Sequence, residues 1–255
     1  WLAASRISLA WLLAVVVIVG IVALPAATTV WLALSPKENI WPHLISTVLP
    51  RSLSQTLLLM LGAGILTLVT GAGAAWLVTM YRFPGRGILD RLLVIPLAMP
   101  TYIIAYSYVE LLDYSGPVQS AVRGLLGVTS ARDYWFPEIR SLGGAIFVMS
   151  SVLYPYVYLS ARASFVQQSV CALEVARTLG RSEWAIFWRV TLPLAWRSIV
   201  AGTALTFARA LGDFGATLMV AGNIPGRTQT MSLYIYDLVQ ANRQGEANQM
   251  VLLIT

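Results

Sequence analysis

ISLAWLLAVVVIVGIVALPAATTVWLAL, residues Ile7 to Leu34, contains no charged side chain. A helix needs about 20 apolar residues to cross a hydrocarbon core of about 30 Å, so this run is long enough to span a bilayer. A cleaved signal peptide is the competing reading, because Ala26 and Ala27 are small residues after an apolar core. The apolar region of a signal peptide is only about 7–15 residues long, whereas this run continues to Leu34.

The rest of the chain follows the same pattern. Of its 255 residues, 58% are hydrophobic and 11% charged, and the mean hydropathy is +0.73. Soluble domains carry roughly 25% charged residues, so lipid is the main solvent for this chain. The uninterrupted apolar runs argue against a barrel, whose strands alternate apolar and polar residues over about ten positions. The expectation is therefore an all-α, polytopic membrane helix bundle forming one domain over residues 1–255. About six spans are predicted, near 7–34, 53–80, 92–112, 142–161, 194–221 and 247–255. The last is cut off at Thr255 and the chain opens on Trp1, so both ends read as truncated.

Charge orients these spans. Arg6, the 81–91 loop and the 162–198 loop together hold nine arginines against Asp90, Glu174 and Glu183, an excess equal to the whole formal net charge of +6. The opposite side balances seven basic residues with seven acidic ones. Basic residues crowded into short loops mark the cytoplasmic side, which places the amino terminus and both loops there. Gly64, Gly71, Ala74 and Ala75 form a small-residue stripe on the second span, where another backbone can approach closely. Pro96 and Pro100 are expected to kink the third span, and Pro155 the fourth.

The residue types exclude several chemistries. Cys171 is the only cysteine and His43 the only histidine, so there is no internal disulfide and no Cys/His zinc cluster. Lys37 is the only lysine, and no Gly-Lys-Ser/Thr phosphate loop exists. The chain therefore reads as a non-enzyme that does not hydrolyse ATP itself. Nothing in it suggests nucleic-acid binding.

The long loop is patterned. Ser169 is placed to cap a short helix carrying Leu173, Ala176 and Arg177 on one face, which Gly180 ends in a left-handed conformation. Ser182 is placed to cap a second short helix with Glu183 in its first turn, and Pro193 opens the next span. Such a corner suits docking to a cytoplasmic partner, with small Ala176 entering a cleft. An amphipathic loop lying on the lipid surface through Trp184, Phe187, Trp188 and Arg189 is the alternative.

Glu174-Val175-Ala176, three residues, Gly180, nine residues, then Val190-Thr191-Leu192-Pro193 resembles the signature loop of permease subunits in binding-protein-dependent ABC importers. The family pattern is Glu-Ala-Ala, three residues, Gly, nine residues, Ile, one residue, Leu-Pro, so Val175 and Val190 are modest apolar departures. The resemblance implies a type I importer permease fold, with residues 162–193 as the coupling-helix loop seated in a groove of an ATP-binding subunit. It also implies the partners: a pair of ATP-binding subunits carrying ATP and Mg, an external substrate-binding protein, and a second permease half supplied by a homodimer or a fused tandem. The setting implied is the inner membrane of a prokaryote.

The cargo divides the sequence. Residues 53–169, including RFPGR at 82–86, PLAMP at 96–100 and LYPYVYL at 153–159, resemble ferric-iron permeases, whereas LGDFGAT at 211–217 and AGNIPGRT at 221–228 are similar to molybdate and sulfate permeases. Ferric iron is the first expectation and an oxyanion the second. Hard Fe³⁺ suits oxygen ligands, and Tyr102, Tyr106, Tyr154 and Tyr158 offer phenols at i, i+4 spacing on two spans, although interfacial aromatic belts explain tyrosines equally well. Arg209 and Asp213 stand one turn apart on the fifth span as pathway or gate candidates, with a helix-internal ion pair as the plainer reading. No metal site is expected. A secondary transporter would need its own mid-membrane coupling residues, and a membrane enzyme would need a catalytic constellation that one His, one Cys and scattered carboxylates do not supply.

Overall fold

The prolines in the apolar runs have unequal consequences, and these shape the molecule. The computed structural model describes residues 9–34, 46, 48–128, 130, 132–168 and 170–253. Among them every regular element is helical, in two compact units: Trp1–Pro50 with Tyr234–Thr255, and Arg51–Leu233.

In the first unit, α1 (Leu9–Leu34) runs unbroken through Pro25. The hydroxyls of Thr28 and Thr29 donate to the Pro25 carbonyl at 2.8 and 2.9 Å, local side-chain bonds of the kind common in membrane helices. It lies against the helix Gln244–Leu252, which begins three residues ahead of the expected sixth span.

In the second unit, α2 (Leu49–Met80, all but its first two residues in this unit) is the expected second span. The third span is not a kinked helix but a corner. Helix α3 (Arg86–Leu92) and a 3₁₀ turn at Ile95–Ala98 meet α4 (Thr101–Leu112) and α5 (Pro117–Leu126), and the two halves are bent by 105°. Pro96 and Pro100 each lack an N–H and disfavour helical geometry in the residue before them. Met99, just before Pro100, is accordingly extended.

Helix α6 (Leu142–Gln167) is unbroken at Pro155 and continues six residues past the expected end, so the first residues of the 162–193 loop are still helix. Ser141 starts it by accepting the Gly144 N–H at 3.0 Å. α6 is the central element. Its Ala145, Val148, Met149 and Leu153 join one buried cluster, while Val157, Tyr158, Ala161 and Phe165 join another.

Glycine sets how closely its neighbours approach. A methyl group on Gly71 of α2 would lie 2.7 Å from the Tyr154 carbonyl oxygen, and one on Gly64 would overlap Phe207. The small-residue stripe therefore meets a neighbouring backbone at Gly71 and an aromatic ring at Gly64.

After α6 come α7 (Val170–Thr178), α8 (Glu183–Ile186), a π-helical turn (Phe187–Thr191), α9 (Leu192–Gly212), α10 (Phe214–Ala221) and α11 (Met231–Gln240). The expected fifth span is thus two helices. Asp213 leaves helical geometry, with φ −90° and ψ 71°, and its Oδ1 accepts the Ala216 N–H at 3.3 Å, so it ends α9 and caps α10. Among the described residues, four helical stretches qualify as membrane spans by length and composition, or five if the bent pair counts as one.

Candidate functional site

Segment 162–193 forms a braced corner. Gly180 sits in the left-handed region at φ +72°, its N–H donating to the Arg177 carbonyl at 2.9 Å and the Arg181 N–H to the Ala176 carbonyl. A side chain there would be strained. Ser182 accepts the Ala185 N–H at 3.3 Å, which caps α8. Across the corner, Arg177 Nε donates to Glu183 Oε1 at 2.8 Å and its Nη2 to Oε2 at 3.2 Å, a two-pronged bond joining the short helices. That hydrogen bond and the charge of Glu183 hold the Arg177 guanidinium above its ordinary pKa. At the base, Gln168 Nε2 donates to the Thr191 carbonyl at 2.9 Å and closes the loop. Ser169, expected to cap α7, lies outside the described residues.

The signature residues divide by exposure. Glu174, Val175, Gly180 and Pro193 are exposed, Val190 and Leu192 half-buried, and Ala176 is buried. Ala176 therefore faces the chain itself. Val175 and Leu179, with Trp184 and Trp188, are instead among the apolar side chains turned outward.

Two contacts that the sequence reading missed tie this corner to the 81–91 segment. Trp76 at the end of α2 packs against Tyr81, Trp184 and Phe187 with ring centroids 5.2, 6.3 and 4.7 Å apart. Asp90 accepts hydrogen bonds from the Tyr158 hydroxyl at 2.5 Å and from Arg162 Nη2 at 2.6 Å. The two basic loops therefore share one end of the second unit. An acid alone among the arginines of its loop was the available signal for Asp90. The Trp76 contacts with Trp184 and Phe187 left none, because they join residues about a hundred positions apart.

The four tyrosines do not converge. Tyr102 and Tyr106 are exposed on α4, Tyr154 is half-buried in the second cluster, and Tyr158 is fully buried with its hydroxyl on Asp90. Among the described residues no group of three or more His, Cys, Asp or Glu side chains could hold a metal ion.

Arg209 and Asp213 do come together, across the break rather than along one helix. Arg209 Nη2 stands 3.9 Å from Asp213 Oδ2, and that buried oxygen has no hydrogen-bond partner. Arg209 also lines a cavity of about 290 Å³ at the corner of the bent span, together with Pro96–Thr101, Leu153 and Tyr156.

The chain is similar to known proteins. The chain is 33% identical over 178 residues to the molybdenum transport system permease protein ModB of Escherichia coli K12, covering 70% of this chain and 74% of that one. It is 32% identical over 215 residues to the sulfate transport system permease protein CysT of the same strain, covering 84% and 74%. Its fold matches a chain in the crystal structure of a bacterial alginate ABC transporter in complex with an alginate pentasaccharide-bound periplasmic protein. That match has a TM-score of 0.77 at 17% identity and covers 97% of this chain and 90% of the other. These relatives do not support the first expectation, ferric iron. The profile of the family described as "binding-protein-dependent transport system inner membrane component" matches residues 67–255, and the chain belongs to that family of multi-pass inner-membrane permease proteins.

Proposed function

We propose that this chain is the membrane-spanning permease of an ABC importer for a tetrahedral oxyanion of the molybdate or sulfate kind. The observation that carries the reading is its likeness to molybdenum and sulfate permeases over about three quarters of their length.

In this reading a separate subunit hydrolyses ATP and an external binding protein delivers the anion. A second permease half completes the pathway. Segment 162–193 docks into the ATP-binding subunit and faces the cytoplasm, as its arginines predict. Its braces suit it to move as one body, and the Asp90 and Trp76 contacts would carry that motion to α6 and α2. The 81–91 loop shares this face because Asp90 bonds Arg162.

Uptake by proteoliposomes containing the permease, its ATP-binding subunit and its binding protein tests the cargo. ATP-dependent accumulation of molybdate or sulfate, with none of ferric iron, is the expected result. Accumulation of ferric iron alone would restore the iron reading. For orientation, a cysteine replacing Arg181 in a Cys171→Ser background should resist an impermeant thiol reagent in intact cells. Labelling there from outside would invert the topology.

A further inference from the structure

The cavity at the corner of the bent span carries one charge, and it is positive. Of the described residues on its wall, Arg209 alone is ionised, with its side chain 49% exposed. A lone cation inside a membrane domain is costly unless it is neutralised. Here it is only partly neutralised. Asp213 Oδ2 stands 3.9 Å away, beyond hydrogen-bond reach. The Ala216 N–H holds the other carboxylate oxygen in a cap, which opposes rotation of the carboxylate to close the gap. Two groups are thus left incomplete together: a guanidinium that donates no hydrogen bond among the described residues, and a buried carboxylate oxygen without a partner.

The missing partner must accept from the guanidinium without being held for good. A tetrahedral oxyanion fits, because its paired oxygens match the forked donors of arginine. Tyr156 and Thr101 add hydroxyl groups to the same wall. Asp213 competes for the same guanidinium, which keeps binding weak enough for release, as conduction requires. The wall offers a cation no carboxylate.

We propose that this cavity is a transit site for the oxyanion, with Arg209 as the recognising cation and Asp213 as the residue that positions it and displaces the anion. The inference rests on the oxyanion reading above. The test uses the complete transporter in proteoliposomes, with molybdate and sulfate assayed separately. Arg209→Gln should lower uptake at least tenfold in a transporter that still assembles with its ATP-binding subunit. Arg209→Lys, which keeps the charge but loses the fork, should lose about threefold. Ala98→Trp should fill the cavity and block uptake with Arg209 intact, and it decides the matter if Arg209→Gln does not assemble. Uptake within twofold of wild type in either Arg209→Gln or Ala98→Trp would overturn the transit site and leave the oxyanion reading standing. A wild-type transporter that moves neither anion would overturn both.

Discussion

Two Asp–Arg pairs in the same compact unit use the same chemistry for different ends. Asp90 and Arg162 stand 2.6 Å apart, with the Tyr158 hydroxyl on the second carboxylate oxygen. Arg209 and Asp213 stand 3.9 Å apart with no hydrogen bond between them. The first pair joins α3 to α6 and leaves neither carboxylate oxygen unpaired, so it acts as a fastener. The second sits where a helix breaks, and its loose geometry leaves a cation available beside a cavity. An ion pair's length and the satisfaction of its atoms, rather than its presence, indicate which kind of part it is.

Substitutions should separate the two pairs, with effects read as unfolding free energy in detergent. Arg162→Ala should have the largest effect, a loss of about 2 kcal/mol, because Asp90 keeps only the Tyr158 bond. Partial exposure of both side chains keeps the loss below that of a fully buried pair. Asp90→Asn should lose about 1 kcal/mol, since an amide oxygen still accepts from one donor. Arg209→Gln removes no hydrogen bond but takes the nearest cation from buried Asp213, and its loss should stay below about 1 kcal/mol because Arg209 itself is half exposed. If Arg209→Gln destabilises as much as Arg162→Ala, the contrast collapses and Arg209 is a structural residue.

Much of this architecture was legible in the sequence. The uncharged run ending at Leu34 and the apolar run to Met80 gave their helices directly, and Gly180 and Ser182 announced a cap and a start that the structure places where expected. The interruptions were harder to read. Hydropathy does not change across Pro96–Pro100, so an apolar run that turns 105° looks like one that merely bends. Pro155 carries the same local signal, yet it is buried between packed neighbours and the helix continues through it. Asp213 was read as the second half of a pair along one helix, because i, i+4 spacing gives no sign that the residue will cap a new helix instead. Ala176 was assigned outward by its small size, whereas the fold of the corner turns it inward.

In the proposed function, the braced corner around Gly180 carries the motion of an ATP-hydrolysing partner into the helix bundle. Gly180→Val tests it most directly. The left-handed cap at φ +72° has open space around it, so the substitution strains the backbone without a steric clash elsewhere. Uptake and binding-protein-stimulated ATP hydrolysis should be measured together in proteoliposomes containing the complete transporter. Uptake should fall at least tenfold while the permease remains folded in the membrane. Uptake at the wild-type rate, with the ATP-binding subunit still bound, would contradict it.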